Sequence, residues 1–166
     1  MVSIRSVVKK QALVRRIIEA LEAELEVHAR SARSARAEAT DEQSKAENKY
    51  DTRGLEASYL ARGQSRQVAD IAAAIRQFDA FTVREFPAGS RAEVGALVTV
   101  SGPDGEATYF LGPAAGGTEV VHEKQEVMVL TSQSPLGLQV IGKCAGDKIE
   151  LPGGPRKIMG RIVGIS

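Results

Sequence analysis

Between Glu38 and Asp51 the chain reads EATDEQSKAENKYD, and Glu38, Asp41, Glu42, Glu47 and Asp51 set five carboxylates against Lys45 and Lys49. Carboxylates gathered in so short a span have two uses. Ionised oxygens are the hard donors that divalent cations take. They also solvate the start of a helix, with Thr40 or Asp41 as its cap and acids favoured in its first turn by the helix dipole. Charge pattern alone favours the second use.

Basic side chains lie beside the acids. Arg30, Arg33 and Arg36 recur every third residue before them, and Arg53, Arg62 and Arg66 follow. Such a stripe can hold nucleic-acid phosphates, or it can be the soluble flank of a helix pair neutralised by its own acids. Aromatics are only 4% of the chain, so base stacking and sequence reading are not expected. Other chemistry is poorly provided for. Neither His28 nor His122 has a second His or Cys at metal-ligand spacing. Ser134 has no histidine placed by sequence to activate it and is better explained as a helix cap. The single cysteine, Cys144, excludes an internal disulfide and fits a reducing compartment.

The elements that must position these groups are legible from spacing. Residues 7–80 contain no proline and read as helical. From Val14 the seam runs Val14, Ile18, Leu21, Leu25, His28, Ala32, Ala35 and Ala39, an alternation of four and three. A second series runs Ala46, Tyr50, Arg53, Ala57, Leu60, then Val68, Ile71, Ile75 and Phe78, with a phase slip around Gln64. His28, falling on the seam, reads as a register-setting or partly buried polar residue. A polar turn, Thr40–Ser44, joins the two helices into an antiparallel hairpin. Pairing about that turn predicts Leu21 and Leu25 near Leu60 and Gln64, and Val14 near Ile71. A helix over 7–39 spans roughly 50 Å. Gly54 and Gly63 each cost up to ~1 kcal/mol in the second helix. The expected organisation is a coiled-coil arm over 1–82 with its tip near 40–46, a linker over 83–95, and a C-terminal domain over 96–166.

Past the linker, FPAGSRAEVG at 86–95, short strands are expected at 96–100, 108–111, 126–131, 148–151 and 157–165. A glycine-rich loop opens at Gly112 and holds His122. One short helix follows Ser134: Pro135 suits its first turn, Leu136, Leu138, Val140 and Ile141 read as buried, and Gly142 closes it. Strands around one helix make a small α+β domain, and the whole is an α+β two-domain chain.

The segment LTSQSPLGLQVIGKCAGD at 130–147 resembles the C-terminal signature of the bacterial Gre-type transcript cleavage factors. The matching residues are Thr131, Ser134, Pro135, Leu136, Gly142, Lys143, Gly146 and Asp147, with Thr131 where the family usually has serine. The resemblance implies an FKBP-like C-terminal domain that docks at the secondary-channel rim of bacterial RNA polymerase through residues around Ser134 and Pro135. It implies an arm that enters the channel, with Arg30, Arg33 and Arg36 facing the nascent RNA 3′ end. It also implies a tip whose acids help hold the polymerase's catalytic magnesium. Here Asp41 and Glu42, or Asp41 with Glu47, would be the ligands. The tip departs from the family's G-D-x-x-E-N-x-x-Y form: Ser44, not an acid, stands three residues after Asp41, and Glu47-Asn48 has one residue fewer before Tyr50.

The expected function is therefore stimulation of the polymerase's own magnesium-dependent cleavage of backtracked RNA, by a protein that is not itself an enzyme and has no cofactor of its own. The irregular tip favours an alternative, a channel-binding regulator or inhibitor without cleavage activity. A third reading, an FKBP-like prolyl isomerase or chaperone, needs an aromatic-lined apolar pocket. Tyr109 and Phe110 are adjacent in a strand and point to opposite faces, which counts against it. At 166 residues with a net charge of +1, overall charge selects no partner. No apolar run reaches the ~18 residues of a membrane span, and MVSIRSVVKK lacks the apolar core of a signal peptide. A soluble, cytoplasmic protein is expected.

Overall fold

The computed structural model describes residues 4–40, 53–152 and 158–166. An N-terminal helical hairpin, α1 (Ile4–Thr40) and α2 (Arg53–Asp79), precedes a mixed β-sheet with one short helix. The strands are β1 (Leu97–Gly102), β2 (Gly105–Leu111), β3 (Glu119–His122), β4 (Gln125–Leu130), β5 (Lys148–Leu151) and β6 (Ile158–Ile165), and α3 (Pro135–Val140) lies between β4 and β5. The chain forms two compact units, Met1–Ala20 with Arg76–Ser166, and Leu21–Ile75. Among the described residues no helix is long and apolar enough to cross a membrane.

In the unit Leu21–Ile75, the α1 seam is as expected: Leu21 and Ala35 are buried, and Leu25, His28 and Ala32 are half-buried. The α2 seam differs. Ala61, Gln64, Val68, Ile71 and Ile75 face inward at an unbroken spacing of three and four, so among the described residues from Ala61 onward there is no phase slip. Leu60 is 55% exposed and lies off the seam. His28 Nδ1 lies 2.9 Å from Gln64 Oε1, which places the pairing register one heptad from the expected one. Seam spacing alone is blind to a shift of a whole heptad, so it did not fix the register; the turn itself lies outside the described residues.

In the other unit the strand order is β3-β4-β2-β1-β6-β5, with β2 and β4 parallel and the remaining neighbours antiparallel. β3 falls in the stretch read as a glycine-rich loop, so His122 ends a strand. Its hairpin turn is Glu123-Lys124, with φ of 50° and 67°, between the paired residues His122 and Gln125. Two-residue hairpins of this kind normally use Asn or Gly where φ is positive, so the turn left no sequence signal.

Alternation along the strands buries both sheet faces. Val98, Val100, Leu111, Leu130, Ile149 and Ile162 share one core with Leu136 and Val140 of α3. Phe110, Val127 and Val129 are buried on the opposite face. There the Phe81 ring meets Phe110 edge-on at 6.2 Å, and Gly112 is backed by Phe78 and Val129 so closely that a Cβ would lie 3.0 and 2.8 Å from them. Tyr109 and Phe110 thus face opposite ways, as their adjacency requires.

Candidate functional site

The Gre-like signature builds one turn–helix–turn on the sheet. Strand β4 ends at Leu130, and the chain turns at once because Ser134 N–H donates to the Thr131 carbonyl at 3.1 Å. Ser134 then closes the helix start from both sides. Its hydroxyl donates to the Thr131 carbonyl at 2.9 Å and accepts from Gly137 N–H at 3.0 Å. That is the N-cap exchange, satisfying a donor the helix cannot pair itself. Pro135 occupies the first helical position, where no N–H is needed.

Two residues here escaped the sequence reading. Gly137 is pressed against the turn, and a Cβ on it would stand 1.8 Å from the Thr131 carbonyl oxygen. Glycine is the residue that permits so close a backbone approach. Leu138, expected in the core, is 67% exposed. A six-residue helix has one buried stripe, taken by Leu136 and Val140 at i and i+4, and position i+2 points away. The surface this leaves carries Ser132, Gln133, Pro135, Leu138 and Gln139, all exposed.

The second half of the signature braces the first. Ile141 N–H donates to the Gly137 carbonyl at 2.9 Å, and Gly142 follows with φ of 78°, the left-handed conformation glycine adopts after a helix. The linker is tied to this point: Gly142 N–H donates to the Ala92 carbonyl and Ala92 N–H to the Lys143 carbonyl, each at 2.8 Å. Arg91 Nη1 donates to the Gly142 carbonyl at 2.9 Å. Asp147 holds the next turn, its Oδ2 accepting from Cys144 N–H at 2.8 Å while its carbonyl accepts from Ile162 N–H at 2.9 Å. Gly142, Gly146 and Asp147 shape the backbone of this segment.

The linker itself is clasped to the base of α1. Lys10 is 2% exposed and donates to the Arg84 carbonyl. The Lys10 ammonium and the Arg84 guanidinium each lie 4.8 Å from the centre of the Phe86 ring, and Arg84 pairs with Glu93. Burial pulls the Lys10 ammonium below its ordinary value; Glu85 opposes this and Arg84 adds to it.

Arg30, Arg33 and Arg36 are exposed on α1. Arg30 and Arg33 converge on Glu26 Oε1, at 3.6 and 3.4 Å. That pairing matches the neutralised flank for two of the three. Asp41, Glu42 and Glu47 lie outside the described residues. His122 Nε2 is buried without a hydrogen-bond partner, and among the described residues no group of three or more His, Cys, Asp or Glu is placed to hold a metal. An open hollow of about 460 Å3 is lined by Tyr109, Met128 and Thr99, with Glu106, Glu119 and Glu126. One aromatic among three carboxylates is not the apolar, aromatic-walled pocket that a prolyl isomerase needs.

No family model matches the chain, and no curated protein matches it. Solved structures do. GreA factor homolog 1 (Gfh1) of Thermus thermophilus is 20% identical, covering 90% of this chain and 94% of that one, with a TM-score of 0.36. Gfh1 of Thermus aquaticus is 22% identical over 89% and 92%, with a TM-score of 0.39. A further structure, described as the transcription factor Gfh1, is 21% identical over 90% and 93%, with a TM-score of 0.39. These matches name a homologue of the family that residues 130–147 resemble. They correct the expected function, stimulation of magnesium-dependent cleavage through Asp41 and Glu42: the matched structures are of Gfh1, a GreA homologue described as a transcription factor. In the tip sequence, Ser44 stands three residues after Asp41, where the form quoted above has an acid.

Proposed function

We propose that this chain is a regulator of bacterial RNA polymerase that binds in the secondary channel and slows transcription without promoting RNA cleavage. The observation that carries the reading is the surface of α3, where Pro135 and Leu138 stand exposed on a turn whose backbone is held by Ser134, Gly137 and the Thr131 carbonyl. A large apolar side chain displayed on so rigid a support is suited to docking, because little freedom is lost on binding. In this reading the sheet domain is FKBP-like and seats that surface on the channel rim, and the hairpin occupies the channel. Arg36 and its neighbours then face the nascent RNA 3′ end. The chain breaks no bond itself, and it works in the cytoplasm where the polymerase is.

The test is an elongation assay on a stalled, backtracked complex of bacterial RNA polymerase, with and without the protein. Slower elongation with RNA of unchanged length is the expected result. Magnesium-dependent shortening from the 3′ end that Asp41→Ala/Glu42→Ala abolishes would overturn the reading, as would failure to bind polymerase at all.

A further inference from the structure

We infer that His28 and Gln64 form a polar pin that selects the register of the hairpin. In the unit Leu21–Ile75 both residues are half-buried on the seam, with His28 Nδ1 2.9 Å from Gln64 Oε1. Glu24, one turn earlier on α1, brings Oε1 to 3.7 Å from the other ring nitrogen, so each side of the imidazole faces an oxygen. Among the described residues of this unit, the other seam positions are Leu21, Leu25, Ala32 and Ala35 on α1, and Ala61, Val68, Ile71 and Ile75 on α2. None of them is polar.

An apolar seam with heptad spacing is nearly degenerate, because sliding one helix by a heptad returns every seam position to the seam. Sliding this pair one way sets Gln64 against Leu21 and His28 against Ala57. Sliding it the other way sets Gln64 against Ala35 and His28 against Ile71. Either slip leaves two half-buried polar side chains against apolar neighbours and without these partners, which costs part of the penalty of an unsatisfied buried group. The apolar contacts exchanged are partly alanine for alanine, so they discriminate weakly. A polar pair of this kind stabilises less than a leucine pair would, yet it is worth most in one register only.

The test uses the full chain with Cys144→Ser and pairs of introduced cysteines that report each register by disulfide trapping, which requires close Cβ atoms. Ala32→Cys with Ala61→Cys reports the observed register; Leu25→Cys with Ala61→Cys reports a slip of one heptad. With His28 and Gln64 intact, only the first pair should close. With His28→Leu/Gln64→Leu the described seam positions are all apolar, and the second pair should close in about a tenth of the chains or more. The exchange His28→Gln/Gln64→His restores a polar pair and should return closure to the first pair alone. A leucine variant, folded by circular dichroism, that closes only the first pair would overturn the pin and assign the register to apolar packing. Closure of both pairs in the exchanged variant would overturn it as well.

Discussion

Gly137 decides whether α3 can form against its own turn. Alanine there is a better helix former by about 1 kcal/mol. Its Cβ, however, would sit 1.8 Å from the Thr131 carbonyl oxygen, and a backbone atom cannot swing aside as a side-chain end can. Gly137→Ala should therefore lose about 3 kcal/mol or more in urea unfolding, the clash outweighing the propensity. Ser134→Ala should lose about 1 kcal/mol in the same measurement, the cost of an uncapped helix start. An equal loss for the two would mean that the cap, not the close approach, governs this segment. Ser134 and Pro135 were legible because capping is local chemistry, written in adjacent residues. Gly137 was not, since its constraint comes from a carbonyl six positions earlier brought back by the turn. Leu138 misled because four apolar residues in a short helix look like a core, whereas the helix has one buried stripe.

Among the elements, α1 meets the linker through a side chain that sequence patterning does not mark. Lys10 falls before the expected seam, yet it is buried, with its ammonium on the Arg84 carbonyl and over the Phe86 ring. Burial lowers its native affinity for a proton, while the unfolded chain keeps the ordinary value of 10.5. Between the lowered native value and 10.5 the unfolded chain holds a proton that the folded chain has released. The folded state thus gains stability as pH rises through that window. Urea midpoints measured from neutral pH up to about 10 should climb for the parent relative to Lys10→Met, in which this group cannot titrate. Parallel curves for the two would show that the lysine titrates alike folded and unfolded. The other elements divide by how far their determinants lie apart. The α1 seam and the strands β1, β2, β4, β5 and β6 followed their periodicities. β3 was hidden by a two-residue turn of Glu and Lys in a backbone conformation that neither residue favours. The register of the hairpin was hidden because heptad spacing repeats.

At the scale of the whole molecule, the contacts divide the chain into a unit that holds α3 and the sheet and a unit made of the hairpin segment Leu21–Ile75. The proposed function assigns them different tasks, docking and obstruction, which are separable in experiment. Leu138→Glu places a charge on an already exposed position, so the fold should be unchanged in melting temperature. Binding to polymerase should weaken about tenfold or more, as for an apolar anchor at the centre of an interface. Replacing 21–75 by a short Gly/Ser loop should have the opposite profile. The remaining unit keeps its sheet, both buried faces and the clasp between Lys10 and Arg84, and it should still bind. With nothing left to enter the channel, it should no longer slow elongation. If it slowed elongation as well as the parent does, occupancy of the rim alone would be inhibitory and the hairpin would need another role. Loss of binding in the shortened chain, with Leu138→Glu binding normally, would move the docking surface from α3 to the hairpin.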